Sequence, residues 1–426
     1  MSRIAGFVIM AFCSLVSTVV LTAQTPISKD DRALYKQMLA DLRRDLAENY
    51  YDKGFRGKDL SQLFQNAAEK VAAATTTAEA VDIISGTLFE FGDSHTRFFT
   101  PPRAVRVNYG WTLAAVGEAP LVMWVDPSSD AAKQGLAPGD RVLAVNRFQP
   151  SRENLWQLLH YYRVIRPQAQ QRLVVRKPDG TERTLEVASK VERVPVRQLT
   201  DAIDEAITEG LADPDLDRAV EPDIFIWRMR TFGDAEDMGP FVAKARNAKA
   251  LVLDLRSNGG GLLDGLKALV GWTFDREVHV MTRVGRKGER REIARPKSKP
   301  FLGKLVVLVD SRSASAAECF ARIVQIEKRG TVIGDRSAGK VMVSEMFGHA
   351  YGARGHQTFY GASITVSDTL MSDGARLEDV GVTPDEFLVP TPADLAASRD
   401  PVLAHAVATL GGTLTPEAAG KLLPVK

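Results

Sequence analysis

The chain has 426 residues, which is enough for two to four domains that each bury a core of their own. Its formal net charge is only +2, with acidic and basic residues well mixed along the chain. No basic surface for nucleic acid is indicated, so a nucleic-acid partner is not expected.

The first 26 residues have the layout of a signal peptide. One arginine precedes an apolar run from Ile4 to Val20, and small or polar residues follow near Ala23. We expect residues 1–23 to be a signal peptide and the protein to be periplasmic or secreted. A retained membrane anchor is the alternative, because the run is just long enough to span a bilayer. Cleavage would leave Cys319 as the only cysteine, so no intrachain disulfide is expected.

Residues 28–100 are predicted to form an N-terminal helical domain. One face of its first helix is marked by apolar residues spaced four apart, namely Leu34, Met38, Leu42, Leu46 and Tyr50. Two further helical patterns follow, in "LSQLFQNAAEKVAAA" and "TAEAVDIISGTLFEF". The segment "GDSHTRFFTPP" ends the helical pattern, because its glycine and proline pair break the periodicity.

Residues 103–192 are predicted to form a β-rich domain with one helix, "ENLWQLLHYYR". The residues "VDPSS" and "GLAPGDRV" within this region resemble a PDZ domain. Such domains add a peptide C-terminus to a sheet edge and hold its carboxylate in backbone amides.

The resemblance implies which residues of this domain would bind a peptide. The carboxylate-binding turn would contain Gly110 and Trp111, and the groove would be completed by the helix that bears Leu155, Trp156 and Leu159. The alternative is that these apolar residues only fill the core of a small β domain.

Residues 200–395 alternate apolar, β-branched strands with amphipathic helices, which indicates an α/β core with a largely parallel sheet. The basic stretch "TRVGRKGERREIARPKSKP" is predicted to be an exposed hairpin inserted into this core. Residues 396–426 are predicted to be a C-terminal helix and tail.

The segment "LVLDLRSNGGG" is a buried strand that runs into Asn258 and three glycines. Such a run lets backbone amides approach a ligand, because no Cβ is in the way. A tight turn between a strand and a helix is the alternative.

Ser315, in "LVVLVDSRSASAAECFARI", is predicted to lie where a strand turns into a helix. With Glu318 three residues later, it fits a capping box. A turn between a strand and a helix is also a typical position for a nucleophilic serine. There the N-terminus of the helix favours the negative charge of a developing oxyanion.

Lys340 ends the stretch "GDRSAGK", which is close to a phosphate-binding loop. Val341 follows in place of the hydroxyl residue that would ligate Mg²⁺, and "VMVSEMF" predicts a strand rather than a helix. Nucleotide binding is therefore not expected. Lys340 has small and apolar neighbours and no adjacent carboxylate, which suits a lysine kept neutral by burial to act as a base.

Taken together, "DLRSNGGG", "SRSASAAE" and "GDRSAGK", downstream of the PDZ-like region, are similar to the C-terminal processing (tail-specific) serine proteases. The resemblance implies an α/β core of the ClpP/crotonase type, with Ser315 as nucleophile and Lys340 as general base. It also implies an oxyanion hole made by the backbone amides of Gly260 and Ala316.

Two features depart from the lysine-dependent members of that family. Those members usually carry a glutamine four residues after the lysine, where this chain has Ser344. Ser94, His95 and Glu378 instead resemble the serine, base histidine and acid of the tricorn-like branch. We expect Lys340 to be the base, with His95 as the alternative.

The sequence therefore predicts an exported serine endopeptidase that cleaves unfolded or tail-exposed proteins and peptides through an acyl-enzyme. No cofactor is expected, and none of the six histidines lies in an HExxH zinc motif. A membrane contact is expected only if the N-terminal segment stays uncleaved, and nothing in the sequence indicates an oligomeric state. The alternatives are a catalytically inactive peptide-binding scaffold and an acyl-CoA enzyme of the crotonase fold.

Overall fold

The computed structural model describes residues 26–103, 105–193, 215–220, 223–353 and 357–423. The predicted signal peptide lies outside these ranges. Within them, no helix has the length and apolar character needed to cross a membrane.

Three helices open the described chain: α1 (Lys29–Asn49), α2 (Leu60–Ala73) and α3 (Thr77–Phe89). Each follows a polar side chain that accepts a hydrogen bond from the first turn of the helix, from Ser28, Asp59 and Thr76 in that order. Four of the five residues predicted to form the apolar face of α1 are fully buried, and Leu34 is only partly buried. The helical pattern read from the sequence is thus confirmed.

The next segment is mostly β-structure. Its elements are β1 (Arg97–Phe99), β2 (Val105–Asn108), β3 (Trp111–Val116), β4 (Ala119–Val125), α4 (Asp130–Lys133), β5 (Arg141–Val145), α5 (Leu155–His160), β6 (Gln170–Arg176), β7 (Glu182–Ala188) and β8 (Lys190–Arg193). Strands β3 to β7 form one antiparallel sheet in chain order, and β2 pairs with β8. Helix α5 packs on the core of this sheet through Leu155 and Leu158.

The α/β core that follows contains most of the remaining elements. They are β9 (Leu216–Val220), β10 (Ile224–Arg228), α6 (Ala235–Ala245), β11 (Ala250–Asp254), α7 (Leu263–Thr273), β12 (Val278–Gly285), β13 (Gly288–Ala294), β14 (Lys304–Val309), α8 (Ala316–Ile326), β15 (Thr331–Gly334), β16 (Val343–Tyr351), β17 (Thr358–Leu370), β18 (Glu386–Phe387), α9 (Pro392–Ala396), α10 (Pro401–Thr409) and α11 (Pro416–Leu422).

The central sheet has the strand order β18-β15-β14-β11-β10-β9 and is parallel except for the edge strand β9. Strands β10 and β11 are buried at every position, as expected for strands covered on both faces. Helices α6, α7 and α8 contribute to the core on one face, and α10 and α11 to the core on the other. The predicted largely parallel sheet is confirmed.

The predicted basic hairpin, β12–β13, is part of a second sheet of five strands, in which β17 pairs with β1, β12 and β16. Its exposed side carries Arg290 and Arg291, whereas Glu292 is buried. The hairpin is therefore only partly exposed. Because β1 joins β17, the residues just before β1 reach the α/β core.

Candidate active site

The candidate nucleophile, Ser315, is the last residue before α8 and has φ 56° and ψ −117°. Residues with a side chain rarely adopt positive φ, and such strain is typical of functional turns. The Ser315 N–H donates to the carbonyl of Lys340 at 3.0 Å and to Oε2 of Glu318 at 3.0 Å. The two segments that carry the predicted nucleophile and the predicted base are thus joined through their backbones.

Gly260 lies directly against Ser315. A Cβ on Gly260 would lie 2.6 Å from the Cβ of Ser315, and its φ is +99°, so only glycine fits this position without strain. Its N–H, one of the two predicted oxyanion donors, donates to Oδ1 of Asn258 at 2.9 Å. Asn258 is fully buried and in turn donates to the carbonyl of Met229 at 2.9 Å. In this structure the Gly260 amide is therefore already engaged.

Ala316, the other predicted oxyanion donor, is the first residue of α8. Its N–H has no acceptor among the described residues. The amide lies at the N-terminus of α8, where the helix dipole and unsatisfied N–H groups favour an anion. Of the two predicted donors, only Ala316 is available without rearrangement.

Glu318 is fully buried one turn into α8. Its Oε2 accepts from the N–H groups of Ser315 and Lys340, at 3.0 and 2.8 Å. Its Oε1 accepts from the Gly339 N–H at 2.7 Å and from the Ser337 hydroxyl at 2.5 Å. Burial raises the pKa of this carboxyl to about 7, in opposition to the four hydrogen bonds, which favour the charged form. One side chain thus binds both the segment of the predicted nucleophile and that of Lys340.

Ser94, His95 and Glu378 form a single hydrogen-bonded chain. Nδ1 of His95 lies 2.7 Å from Oγ of Ser94, whose hydroxyl donates to Oε2 of Glu378 at 3.0 Å. Glu378 also accepts from the N–H groups of Ser94 at 2.9 Å and Val341 at 2.7 Å. Because the Ser94 hydroxyl donates its proton to the hydrogen bond with Glu378, its oxygen can only accept from His95. Nδ1 of His95 is then the protonated nitrogen, and Nε2 is the basic one.

The environment of His95 favours the neutral imidazole. Burial lowers the pKa of His95 to about 3, with the positive charges of Arg97 and Lys340 acting in the same direction and Asp93 opposing them. Burial also raises the pKa of Glu378, against its hydrogen bonds from Ser94 and Val341. A neutral imidazole is the form that accepts a proton from a nucleophile.

Lys340 does not have the surroundings expected from the sequence. Its Nζ forms an ion pair with Oδ1 of Asp379 at 3.2 Å and lies 5.1 Å from the centre of the Trp156 ring. The lack of a carboxylate adjacent to Lys340 in the sequence does not carry over to its spatial surroundings, because the fold brings Asp379 to it. Both contacts stabilise an ammonium ion rather than a neutral amine.

The predicted groove residues lie in and around the five-stranded sheet. Gly110 has φ +71° and directly precedes β3, and its carbonyl accepts from the Asp126 N–H at 2.8 Å across the β3–β4 pair. Trp111 begins β3, and its buried Nε1 has no hydrogen-bond partner among the described residues. Leu155 is buried in the core of the sheet, whereas Leu159 packs at the edge of that core and stays partly exposed.

Several contacts of the candidate site are not marked by the sequence. Asp379 lies next to the predicted Glu378, but nothing in its neighbourhood marks it as the partner of Lys340. Trp156, on the helix predicted to complete the peptide groove, contacts the Lys340 amine, which the sequence does not indicate. Glu318 could be found as part of a capping box, although that motif does not predict its bonds to Gly339 and Lys340.

Comparisons with known proteins place the chain among peptidases. Residues 223–387 match peptidase family S41. The chloroplastic C-terminal processing peptidase of Tetradesmus obliquus is 25% identical over 365 residues, which cover 81% of this chain and 76% of the relative. The carboxyl-terminal-processing protease of Picosynechococcus sp. is 23% identical over 372 residues, or 85% of each chain.

A solved structure supports the same fold. The structure of mature CPAF complexed with lactacystin has a TM-score of 0.64 at 16% identity, and the match covers 86% of this chain and 96% of that one. The predicted fold class, an α/β protease core, is confirmed. The predicted resemblance to the C-terminal processing proteases is confirmed as well. The protein is therefore a serine-type peptidase whose core matches peptidase family S41.

Proposed function

We propose that the protein is an exported serine endopeptidase that hydrolyses unfolded or tail-exposed proteins through an acyl-enzyme on Ser315, with His95 as the general base. The observation that carries this proposal is the hydrogen-bonded chain from His95 through Ser94 to Glu378. Glu378 also accepts a hydrogen bond from the N–H of Val341. The residue before it, Lys340, accepts one at its carbonyl from the N–H of Ser315.

The contacts support the following roles. Ser94 and Glu378 orient His95 so that Nε2 takes the Ser315 hydroxyl proton as Oγ attacks the scissile carbonyl. The proton then passes from His95 to the leaving amine, and water, deprotonated by the same nitrogen, releases the acyl group. A neutral imidazole hydrogen-bonded through a serine to a carboxylate can begin this sequence of proton transfers.

The oxyanion formed during attack would be stabilised by two backbone amides. The Ala316 N–H is available as it stands, and the Gly260 N–H would have to leave Oδ1 of Asn258. A glycine turn permits this peptide rotation at little steric cost. In this proposal, substrate binding completes the oxyanion hole by drawing the Gly260 N–H away from Asn258.

Lys340 serves as a fixed cation in this proposal. Its amine pairs with Asp379 and lies over the Trp156 ring, and Ser344 stands where lysine-dependent relatives usually carry a glutamine. The preference for Lys340 drawn from the sequence is thus replaced by a preference for His95.

The β-rich region would select substrates by their C-termini. Nε1 of Trp111 and Oγ1 of Thr112 are both buried without a partner among the described residues, at the turn predicted to hold a carboxylate. A peptide carboxylate would supply the missing acceptor. Leu159, partly exposed beside this turn, would contact the last side chain of the peptide, whereas Leu155 supports it from the core.

The proposal is tested with a fluorophosphonate probe, which reacts with an activated serine. We expect labelling of the mature chain to map to Ser315 and to disappear in Ser315→Ala, together with casein cleavage. Ser311→Ala, in the same turn, is the matched control and is expected to stay active. If Ser315→Ala keeps more than about a tenth of wild-type turnover, the nucleophile is misassigned, because losing a nucleophile costs many orders of magnitude. An unlabelled wild-type chain that still binds peptides would support the inactive scaffold instead.

A further inference from the structure

Helix α5 of the β-rich region presents two different faces. Leu155 and Leu158 are buried against the sheet that the helix belongs to. Trp156 and His160 instead face the end of α3, where the Phe89 ring lies 5.9 Å from Trp156 and 5.8 Å from His160, both edge-on. The second face of α5 therefore reaches the segment that leads into Ser94 and His95.

The indole of Trp156 is contacted by two cations from separate parts of the chain. The Arg97 guanidinium lies 5.0 Å from the ring centre and the Lys340 Nζ lies 5.1 Å from it. Arg97 also donates from Nε to the carbonyl of Ser94 at 2.6 Å, and the negative charges of Asp93 and Glu378 favour its charged form against the effect of burial. The aromatic face is thus one of the contacts that stabilise a largely desolvated guanidinium.

We propose that Trp156 is a positioning residue of the candidate active site, which holds Arg97 and Lys340 beside His95. The proposal rests on the function proposed above, in which His95 is the base. It assigns the indole a role through the two cations rather than through contact with substrate.

The charges around His95 show why the position of these cations matters. Arg97 and Lys340 disfavour the imidazolium, Asp93 favours it, and Glu378 acts on it through Ser94. Asp379, the remaining nearby carboxylate, is 56% exposed and occupied with Lys340. Without the indole, both cations would move toward solvent and be screened, so the pKa of His95 would rise.

The test is an NMR titration of His95 in the full mature chain, with the His95 signal assigned from a His95→Gln spectrum. Trp156→Leu is expected to raise the His95 titration midpoint by about one pKa unit, a tenfold gain in proton affinity. Trp156→Phe keeps most of the packing and is expected to shift the midpoint in the same direction by less, so the test does not depend on the leucine variant folding well. Trp272→Leu, which removes a partly buried indole from α7, is the matched control and should leave the midpoint unchanged.

A Lys340→Met background separates cation positioning from simple exposure to water. There, Trp156→Leu should shift the His95 midpoint by clearly less than in the wild type, because one of the two held cations is already gone. An equal shift in both backgrounds, or no shift beyond that of Trp272→Leu, would overturn the proposal. The titration of His95 does not require catalytic turnover. A wild-type chain that fails to react at Ser315 would therefore refute the proposed function, whereas the effect of Trp156 on His95 would still be decided by the titration.

Discussion

Replacing Glu318 by Gln should make the fold more tolerant of high pH while it weakens the active site. Burial raises the pKa of Glu318 from its ordinary 4.5 to about 7. The folded chain then binds this proton more tightly than the unfolded chain does. The associated stability is fully present below pH 4.5 and is lost as the pH rises to about 7. Between about pH 5 and pH 8 the loss amounts to roughly 2–3 kcal/mol of unfolding free energy.

Glutamine does not titrate, so the Glu318→Gln variant does not undergo this pH-dependent loss of unfolding free energy. We expect the free energy of unfolding of the variant, relative to the wild type, to increase by about 2–3 kcal/mol between pH 5 and pH 8. Urea denaturation at the two pH values measures it, with Glu327→Gln, at the end of the same helix, as the control. Fluorophosphonate labelling should meanwhile fall at least about tenfold, because the amide replaces one of the two acceptor oxygens by a donor, and an N–H group of the Ser315 or the Lys340 segment then loses its acceptor.

The opposite pH trend would refute this reasoning. If Glu318→Gln loses more stability at pH 8 than at pH 5, the four hydrogen bonds outweigh burial, and the carboxylate stabilises the fold on its own. A variant with full labelling would separately show that the bonds from Glu318 do not position the nucleophile.

Three further predictions concern the glycine turn, a buried ion cluster and substrate choice. Gly260→Ala, whose Cβ would lie 2.6 Å from that of Ser315, should abolish probe labelling while the far-ultraviolet circular dichroism is retained; labelling above about a tenth of wild type would contradict the assigned contact. Against the effect of burial, Arg228 and Arg256 hold the pKa of Asp254 well below its usual range, so Asp254 stabilises the fold at neutral pH and loses that contribution on acidification. Asp254→Asn should therefore cost about 3–5 kcal/mol in urea denaturation at pH 7, and an unchanged midpoint would argue against it. Peptides ending in a small or medium apolar residue should be cut faster than the same peptides with a charged or amidated end, and equal kcat and KM across that series would remove substrate selection from the β-rich region.

The sequence was most informative where local pattern and motif agree. Apolar residues four positions apart predicted the buried face of α1. The run of small residues before α8 predicted that Ser315 lies at the turn between β14 and this helix. The segment "DSHT" named Ser94 and His95, and the fold brings them to Glu378 across 284 positions because β1 pairs with β17. The sequence motifs could predict this contact because the family resemblance indicated that the distant residues Ser94, His95 and Glu378 act together.

The parts that could not be predicted depend on side-chain placement across the fold. The neighbours of Lys340 in sequence are apolar, yet its partners in space are Asp379 and an indole 184 positions earlier. The engagement of the Gly260 amide by Asn258 depends on one rotamer, which no pattern encodes. Periodicity could not show that the second face of α5 meets another domain, because a tryptophan beside two buried leucines fits a groove equally well.

The identity of the base is tested most directly by comparing kcat/KM for casein-derived peptide cleavage in His95→Ala and Lys340→Met. A general base contributes about 10²–10⁴-fold, so His95→Ala should lose activity on that scale. Lys340→Met should stay within about tenfold of the wild type, since it loses a charge near the site and not the proton acceptor. An inactive Lys340→Met beside an active His95→Ala would contradict the account and return the role of base to the lysine.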